Sequence, residues 1–282
     1  MKKVKSFLEL IKFEHTAFAL PFAYLGMILP LRAWPGFGKF FWVTLAMVAA
    51  RTAAMTLNRL IDLKIDALNP RTKARPSVTG EIPAAVSWAA VAASVLIFFL
   101  SAFMLNRLCF QLSFLALFLF SGYHFVKRFS FLSHFALGLV LAIAPMGGWI
   151  AVTGAFSWMP VPLAFAVLFW VAGFDILYSL LDVDFDRAHG LHSVPVRFGA
   201  THAVRVARVC HALTVFFLIV FGWVAGLGII YVAGTLLVAG LLAFEHWLVK
   251  DGDLSRIPTA FFNVNGWIGI LLFVFTFMEM FR

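Results

Sequence analysis

Apolar residues recur along the whole chain in long runs, and polar residues are confined mainly to the short gaps between them. Each run is close to the roughly 20 residues that a helix needs to cross the hydrocarbon core of a membrane. Helices satisfy their own backbone hydrogen bonds in lipid. The pattern therefore predicts an all-α, polytopic membrane protein with a single integral membrane domain over residues 1–282. The nine predicted spans are 13–31, 39–65, 84–105, 108–125, 133–153, 160–183, 202–225, 228–248 and 259–281.

The composition agrees with a membrane protein. Of the 282 residues, 63% are hydrophobic and only 12% are charged, whereas a soluble domain carries roughly 25% charged residues. The mean hydropathy is +0.97. A formal net charge of +9 could indicate a nucleic-acid partner, but the basic residues are spread over many short loops. We interpret them as determinants of membrane orientation and expect a lipid bilayer, not nucleic acid, as the partner.

The distribution of basic residues predicts the orientation of the chain. Lysine and arginine concentrate in the N-terminus and in the loops after spans two, four, six and eight. The exceptions are Arg32, Lys39, Arg51, Arg107 and Arg282. Because cytoplasmic loops carry the excess of positive charge, we expect the N-terminus in the cytoplasm. Nine spans then put the C-terminus outside, and we expect a bacterial cytoplasmic (inner) membrane.

Two pairs of aspartates stand at the cytoplasmic ends of the second and sixth predicted spans. They are Asp62 with Asp66, and Asp182 with Asp186. The spacing of four residues places both carboxylates of a pair on one helix face. The pairs are four spans apart, which suggests two similarly oriented halves, spans one to four and five to eight, with a ninth added. We expect the two acidic helix ends at equivalent positions around one cavity.

Other polar residues share the helix faces of these aspartates. In the second span they are Arg51 and Asn58, and in the sixth span they are Asp175 and Tyr178, all at helical spacing. Ionisable groups inside membrane spans are energetically costly and usually face a functional interior. The two polar faces therefore predict a lined cavity.

The four paired aspartates suggest a metal site. Mg²⁺ prefers oxygen ligands, keeps several waters and is commonly shared between one or two carboxylates and the phosphates of a substrate. We therefore predict that these aspartates are metal ligands and catalytic residues, and that they hold two or more Mg²⁺ ions that bridge a diphosphate.

Basic residues follow both pairs, and cations beside an acidic metal site suit phosphate oxygens. Arg75 follows the first pair. For Lys127 and Arg128, which end the fourth span after Tyr123, phosphate binding and orientation remain open alternatives. The charges interpreted as determinants of orientation are Arg71, Lys73, Arg187 and Arg197.

Several segments, in order over nearly the whole chain, resemble the motifs of the UbiA superfamily of intramembrane aromatic prenyltransferases. Asn58 to Asp66 resembles NDxxDxxxD, with Arg59 in place of the usual first aspartate, and Tyr123 to Arg128 resembles YPFxKR. Asp175 to Asp186 resembles DxxYxxxDxxxD. Further matching segments are Ala74 to Gly80 (RP…G), Gly190 to Gly199, and Ala260 to Asn265 (AFxNxN).

The resemblance implies a nine-helix bundle with a lateral opening to lipid. It implies Mg²⁺-dependent transfer of a polyprenyl group from polyprenyl diphosphate to a small aromatic acceptor. Among family members, the chain is most similar to 4-hydroxybenzoate polyprenyltransferases and their relatives in ubiquinone and menaquinone biosynthesis. The resemblance also implies that Asn58 assists the four aspartates, that Lys127 and Arg128 bind the diphosphate or an acceptor carboxylate, and that Arg51 faces the acceptor. Asp175 or Asp182 would assist proton removal.

Two departures from the motifs leave the acceptor open. Arg59 replaces the motif aspartate, and Leu63 stands where members that use benzoate often have arginine. Either could indicate a naphthoate, such as 1,4-dihydroxy-6-naphthoate, in place of 4-hydroxybenzoate. Haem, a chlorophyll precursor and geranylgeranylglycerol phosphate are further acceptors within the superfamily. A cation-coupled transporter is the alternative from another functional class.

Overall fold

The computed structural model of the chain describes residues 2–11, 16–249, 257 and 264–282, and within these ranges it contains helices and no strand. The α-helices are α1 (Lys2–Leu10), α2 (Thr16–Leu31), α3 (Phe37–Ile61), α4 (Leu63–Leu68), α5 (Ala84–Leu105), α6 (Arg107–Val126), α7 (Ser133–Thr153), α8 (Val161–Ser179), α9 (Val183–Ala188), α10 (Val194–Phe198), α11 (Ala200–Val224), α12 (Ile229–Leu248) and α13 (Asn265–Met280). A 3₁₀ turn, Leu180–Asp182, joins α8 to α9. The prediction of an all-α protein is confirmed.

Seven helical segments in the described part of the chain are long and apolar enough to cross a membrane. They are α3, α5, α6, α7, the segment from α8 to α9, α11 and α12. Two shorter apolar segments, Ala19–Leu31 and Asn265–Met280, fall within the first and ninth predicted spans. Large apolar side chains such as Phe118 and Leu236 are exposed on the helices, as expected for surfaces in contact with lipid. The chain is an integral membrane protein, and the count of nine spans stays a prediction.

Two of the predicted spans are not continuous helices. Helix α3 ends at Ile61, and Asp62, with φ −94° and ψ 5°, separates it from α4. Asp182, with φ −114° and ψ 6°, likewise precedes α9. Both predicted spans, 39–65 and 160–183, are nevertheless helical over nearly their whole length, and the irregular residue lies close to the C-terminal end of each. The helical spacing of the first pair survives, since the N–H of Asp66 donates to the carbonyl of Asp62 at 2.8 Å.

The helices pack in a closed ring. Helix α3 packs against α5, and the contacts continue through α6, α7, α8, α11, α12 and α13 to α2, which also contacts α3. Helix α2 packs against α7 as well. The contact of α3 with α5 has its counterpart in the contact of α8 with α11, as expected for the second and third helices of two similar halves. This arrangement brings the breaks at Asp62 and Asp182 to one cavity.

Two glycines allow α2 and α7 to approach closely. A Cβ atom at Gly148 would collide with the backbone carbonyl of Ala23, and a Cβ atom at Gly26 would collide with that of Pro145. In both cases the obstacle is backbone, which cannot rotate away as a side chain can. The contact joins the two halves beside a core that contains Leu25.

The same contact gives a prediction about stability. We expect Gly148→Ala to destabilise the fold by about 1–3 kcal/mol, because the added methyl group forces two helix backbones apart. Gly147→Ala is the matched control, since no atom lies within 4 Å of the Cβ position there. Alanine at position 147 should leave stability unchanged or raise it by about 0.5–1 kcal/mol. Thermal unfolding of the two purified variants in detergent measures the difference, and equal Tm values would contradict the prediction.

Candidate active site

One cavity of about 630 Å³ lies between the helices, with a polar end at the two helix breaks and an apolar remainder. Its walls come from α2, α3, α5, α6, α7 and α8 and from the loops after α4 and α9. It brings together all but one of the predicted site residues: Arg51, Asn58, Asp62, Asp66, Arg75, Lys127, Asp175, Tyr178, Asp182 and Asp186. The remaining predicted residue, Arg128, does not line the cavity but forms an ion pair with Asp62, which does.

Asp62 is only 2% exposed, and both of its carboxylate oxygens are bonded. Oδ2 accepts from Lys127 Nζ at 2.5 Å and from Asn58 Nδ2 at 3.2 Å, while Oδ1 accepts from Arg128 Nη2 at 3.2 Å. Arg128 also donates to the carbonyl of Ile61, the last residue of α3. The basic end of α6 is therefore fixed to the first helix break. Two cations thus face the carboxylate of Asp62.

The loop after α4 neutralises Asp66. Arg75 Nη1 lies 2.5 Å from Asp66 Oδ2. The loop that carries Arg75 is held in place by Thr72, whose hydroxyl donates to the backbone carbonyl of Asp66 at 2.9 Å. Arg75 thus lies in the same polar end as Lys127, on the other side of the first aspartate pair.

Arg71 contacts the second helix break, although its charge was interpreted as a determinant of orientation. Its guanidinium binds both oxygens of Asp182, with Nε at 2.9 Å from Oδ1, and Nη1 donates to the hydroxyl of Tyr178 at 2.8 Å. Burial lowers the pKa of Arg71, but the hydrogen bonds with Asp182, together with electrostatic attraction to Tyr178, Asp182 and Asp66, hold the pKa above its ordinary value. Asn69 also donates to Asp182 Oδ1 at 3.0 Å. One loop therefore connects both aspartate pairs.

The other three charges given the same interpretation do not contact the aspartates. Lys73 and Arg187 are exposed. Arg197 lies over the rings of Phe131 and Phe198, with its Cζ atom 5.2 and 5.6 Å from the two ring centroids. For these residues the assignment to orientation stays a prediction.

Asp186 differs from the other three aspartates. It is half-buried and lines the cavity, but no side chain in the described part of the chain forms a hydrogen bond or ion pair with it. Oxygen donors free of protein partners are the kind of group that a hard cation recruits. Asp186 therefore offers an open ligand position at the polar end.

Farther from the breaks, Arg51 provides a positive charge within the cavity wall. Its Nε atom is buried, and the described residues provide no hydrogen-bond partner for it. Tyr123 on α6 interacts electrostatically with Arg51 and also with Asp175. A buried donor without an acceptor is costly. The arrangement suits a ligand that carries an acceptor group.

Sequence patterns did not identify His134 as part of this site. Its Nδ1 atom lies 2.7 Å from Asp175 Oδ2, and its Nε2 accepts from the backbone N–H of Val194 at 3.3 Å. Because Nε2 is the acceptor, the ring proton is on Nδ1 and is donated to Asp175. His134 lies 41 residues from Asp175 in sequence, and no local motif indicates the pair.

The segment Ala260 to Asn265, which resembles the family motif AFxNxN, is only partly described. Asn263 lies outside the described residues, as do Glu14 and His15. Asn265 is fully buried. Its Oδ1 accepts from Trp170 Nε1 at 2.7 Å, and its Nδ2 donates to Glu245 at 3.1 Å. Asn265 is not among the residues that line the cavity.

The donor set fits a magnesium ion that is shared with a ligand. Across the described ranges, no three His, Cys, Asp or Glu residues are grouped closely enough to hold a metal without another ligand. The four paired aspartates nevertheless line one cavity, together with Asp175, and Asp186 has an open position. Mg²⁺ is usually bound through one or two carboxylates, with waters and substrate oxygens completing the shell. The residues present are of this kind.

Comparison with known proteins agrees with the motifs. Residues 19–267 match the UbiA prenyltransferase family. The 4-hydroxybenzoate octaprenyltransferase of Nitrosospira multiformis is 32% identical over 232 residues, which cover 81% of this chain and 78% of that protein. The enzyme of the same name from Tolumonas auensis is 30% identical over 239 residues, covering 85% and 83%.

Solved structures with the same fold include two archaeal proteins. The apo structure of a UbiA homolog from Aeropyrum pernix K1 has a TM-score of 0.87 and 37% identity, covering 95% of this chain and 98% of that one. A UbiA homolog from Archaeoglobus fulgidus bound to GPP and Mg²⁺ has a TM-score of 0.77 at 22% identity, covering 98% and 99%. Because the family match covers most of the sequence and relatives at 30% identity or more align over most of their length, the chain belongs to the UbiA prenyltransferase family.

Proposed function

We propose that the protein transfers a polyprenyl group from polyprenyl diphosphate to a small aromatic acceptor, 4-hydroxybenzoate, with Mg²⁺ as cofactor, in respiratory quinone biosynthesis. One observation carries the proposal. Two aspartate pairs, each accompanied by cationic side chains, meet at the polar end of a cavity that is otherwise apolar. A diphosphate with an isoprenoid tail has the same division into a charged head and an apolar chain.

The four aspartates would hold Mg²⁺ against the diphosphate, and Asn58 would assist Asp62. When bound there, Mg²⁺ neutralises the charge that develops on the departing diphosphate. This assignment follows from the donor set, since the four carboxylates offer the oxygen ligands that Mg²⁺ prefers and the NH₂ group of Asn58 donates to Asp62.

The cationic side chains would exchange partners when substrate enters. Lys127, Arg71 and Arg75 are now bound to Asp62, Asp182 and Asp66. Once the carboxylates serve a metal, the same ammonium and guanidinium groups can donate to phosphate oxygens. Arg128 stays nearby at the end of α6. The charge of the site would therefore remain balanced with and without substrate.

The apolar part of the cavity suits the isoprenoid chain. Its walls include the apolar side chains of Ala50, Phe98, Leu119, Phe120 and Leu141, which have no hydrogen-bonding groups. Departure of the diphosphate leaves an allylic cation at C1 of the chain, and an electron-rich ring carbon of the acceptor forms a bond to it. The ring then loses a proton, for which Asp175 is the base we favour. An apolar wall limits capture of the cation by water.

Arg51 is the proposed contact for the acceptor. Its buried Nε lacks a protein acceptor, and a carboxylate of the ligand would provide one. This requirement selects aromatic acids, and both 4-hydroxybenzoate and 1,4-dihydroxy-6-naphthoate satisfy it. Relatives named 4-hydroxybenzoate octaprenyltransferase at 30–32% identity support the first. Arg59 and Leu63 within the first motif keep the naphthoate as the alternative.

We further propose a single integral membrane domain over residues 1–282, with nine spans, in a bacterial cytoplasmic membrane. The positive-inside distribution supports a cytoplasmic N-terminus and an external C-terminus. The aspartate pairs and their cations lie at the helix ends assigned to the cytoplasmic side. Soluble acceptor and Mg²⁺ would enter from there, and the prenyl donor from the bilayer.

Competition between acceptors tests the proposed function. Purified protein receives one polyprenyl diphosphate, Mg²⁺, and equal concentrations of 4-hydroxybenzoate and 1,4-dihydroxy-6-naphthoate. We expect mass spectrometry to find mainly the product with the mass of a prenylated 4-hydroxybenzoate, and no product when EDTA replaces Mg²⁺. Predominance of prenylated naphthoate would establish the alternative acceptor, and absence of both products would contradict aromatic prenyl transfer.

A further inference from the structure

Two residues that depart from the family motifs meet at one side chain, Asn58. Arg59 stands where NDxxDxxxD has aspartate, and His124 stands where YPFxKR has proline. We propose that Arg59 and His124 are positioning residues that together fix the amide of Asn58, with its NH₂ group directed at Asp62. The inference rests on the proposed function, since it assigns the support of one residue in the diphosphate site.

The contacts allow only one orientation of the Asn58 amide. Arg59 Nη1 lies 3.1 Å from Asn58 Oδ1, and a guanidinium has donors but no acceptor, so Oδ1 must face Arg59. On the other side, Asn58 Nδ2 lies 3.2 Å from Asp62 Oδ2. An ionised carboxylate only accepts, so this group must face the NH₂. The two contacts agree, and a rotated amide would lose both.

His124 adds a third constraint. Asn58 Nδ2 lies 3.1 Å from His124 Nδ1, and because Nδ2 can only donate, Nδ1 must accept. The histidine is therefore neutral, with its proton on Nε2. It is 2% exposed, on the last turn of α6, three residues before Lys127. Both donor positions of the Asn58 NH₂ group are thus used, one by Asp62 and one by His124.

Arg59 is itself held from outside the site. Its Nε donates to the carbonyl of Leu10, the last residue of α1, at 3.2 Å, and the residue is 6% exposed. Leu10 and Ile11 pack with Ile82 in a small apolar cluster that also contacts Met55 on α3. The N-terminal helix therefore fixes the guanidinium, and the guanidinium fixes the amide.

An aspartate at position 59 could not do the same. An ionised carboxylate only accepts hydrogen bonds, so it could not donate to Asn58 Oδ1, and the amide would lose the contact that opposes its rotation. Rotation would turn Oδ1 toward Asp62, placing two oxygens against each other at the metal site. In this chain, an arginine and a histidine at the two motif positions together favour the orientation that stabilises Asp62.

A double-mutant cycle tests the inference. The probe is geranyl thiolodiphosphate, an uncleaved analogue of the donor, with Mg²⁺, and its dissociation constant is measured by calorimetry. We expect Asn58→Ala and Arg59→Met each to weaken binding by about 10- to 100-fold, the range for a hydrogen bond to a charged group. The double variant should bind no worse than Asn58→Ala within about threefold, because Arg59 acts through an amide that is no longer there.

Two sets of variants separate positioning from a general loss of structure. Ser6→Ala removes the hydrogen bond from α1 to Glu81 (2.7 Å) without touching Asn58, and should bind the probe as the unmodified protein does. His124→Asn retains an acceptor where Nδ1 lies, and should recover most of the affinity that His124→Leu loses. If Arg59→Met fails to insert or unfolds, the His124 variants test the positioning alone.

The outcomes distinguish this inference from the proposed function. If Asn58→Ala binds the probe with unchanged affinity, the assignment of Asn58 to the diphosphate site is wrong. A different outcome is that Asn58→Ala weakens binding and that the loss in the double variant equals the product of the two single losses. In that case the diphosphate site is correct, and positioning by Arg59 is overturned. Equal affinities of His124→Asn and His124→Leu would overturn the part assigned to His124.

Discussion

Asp62→Ala and Asp182→Ala are each expected to reduce Mg²⁺-dependent prenyl transfer by about 10³-fold or more. Removing a single electrostatic contact to the charge of a transition state typically costs about 10²–10³. Here each substitution removes a proposed metal ligand and also leaves a cation without its partner, Lys127 in the first case and Arg71 in the second. The two effects act on the same developing charge.

The positions of Asp62 and Asp182 explain why we expect so large a loss of prenyl transfer. Each stands at the break between two helices, with nearly the same backbone angles, and each is bonded to a cationic side chain from another part of the chain, Lys127 for Asp62 and Arg71 for Asp182. A neighbouring carboxylate cannot take over without moving the helix end. Asp66 and Asp186 lie one turn farther along, and they complete the site but do not occupy the break.

Asp184→Ala is the matched control. Asp184 is exposed on α9, two residues from Asp182, and does not line the cavity. Loss of its charge should leave transfer within about twofold of the unmodified protein, since exposed substitutions away from special features have small effects. Product formation from 4-hydroxybenzoate is measured in membranes with matched amounts of inserted protein. Asp62→Ala or Asp182→Ala at more than a tenth of normal activity would contradict the metal site.

The sequence predicted the membrane helices well where the apolar runs are uniform. The predicted spans 84–105 and 133–153 coincide with α5 and α7. It did not predict the breaks at Asp62 and Asp182, because the apolar and polar periodicity continues through both. A change in ψ at one residue interrupts a regular α-helix but leaves no mark in the pattern of residue types.

The set of candidate residues was predicted better than their contacts. Polar residues on otherwise apolar helices predicted the cavity. The pairing of His134 with Asp175 and of Arg71 with Asp182, in contrast, depends on tertiary packing. Each pair joins segments tens of residues apart. The sequence interpretation of Arg71 as an orienting charge did not anticipate its contact with Asp182, because a loop arginine has the same local appearance in either case.

The functional alternative from another class, a cation-coupled transporter, predicts acidic groups near the middle of the membrane and discontinuous helices around them. The breaks in this chain lie instead at helix ends, beside Lys127, Arg71 and Arg75. The family match argues for chemistry at this site rather than passage through it.

Asp175→Asn should separate departure of the diphosphate from bond formation to the ring. The amide keeps the size of the side chain and can still meet His134, but it cannot accept a proton as a carboxylate does. General base catalysis typically contributes about 10²–10⁴, so we expect aromatic product to fall by about 10²-fold. Release of diphosphate should fall much less, because Asp175 is not one of the proposed metal ligands.

The ratio of the two products is the decisive measurement for Asp175. In the unmodified protein, one diphosphate should be released for each prenylated ring. In Asp175→Asn, cations that fail to react with the ring would be captured by water, so diphosphate and prenyl alcohol should accumulate in excess. If aromatic product and diphosphate fall together, Asp175 acts before ionisation, in binding or orientation. If neither falls, its hydrogen bond with His134 has a structural role alone, and the base must be sought among the other cavity residues.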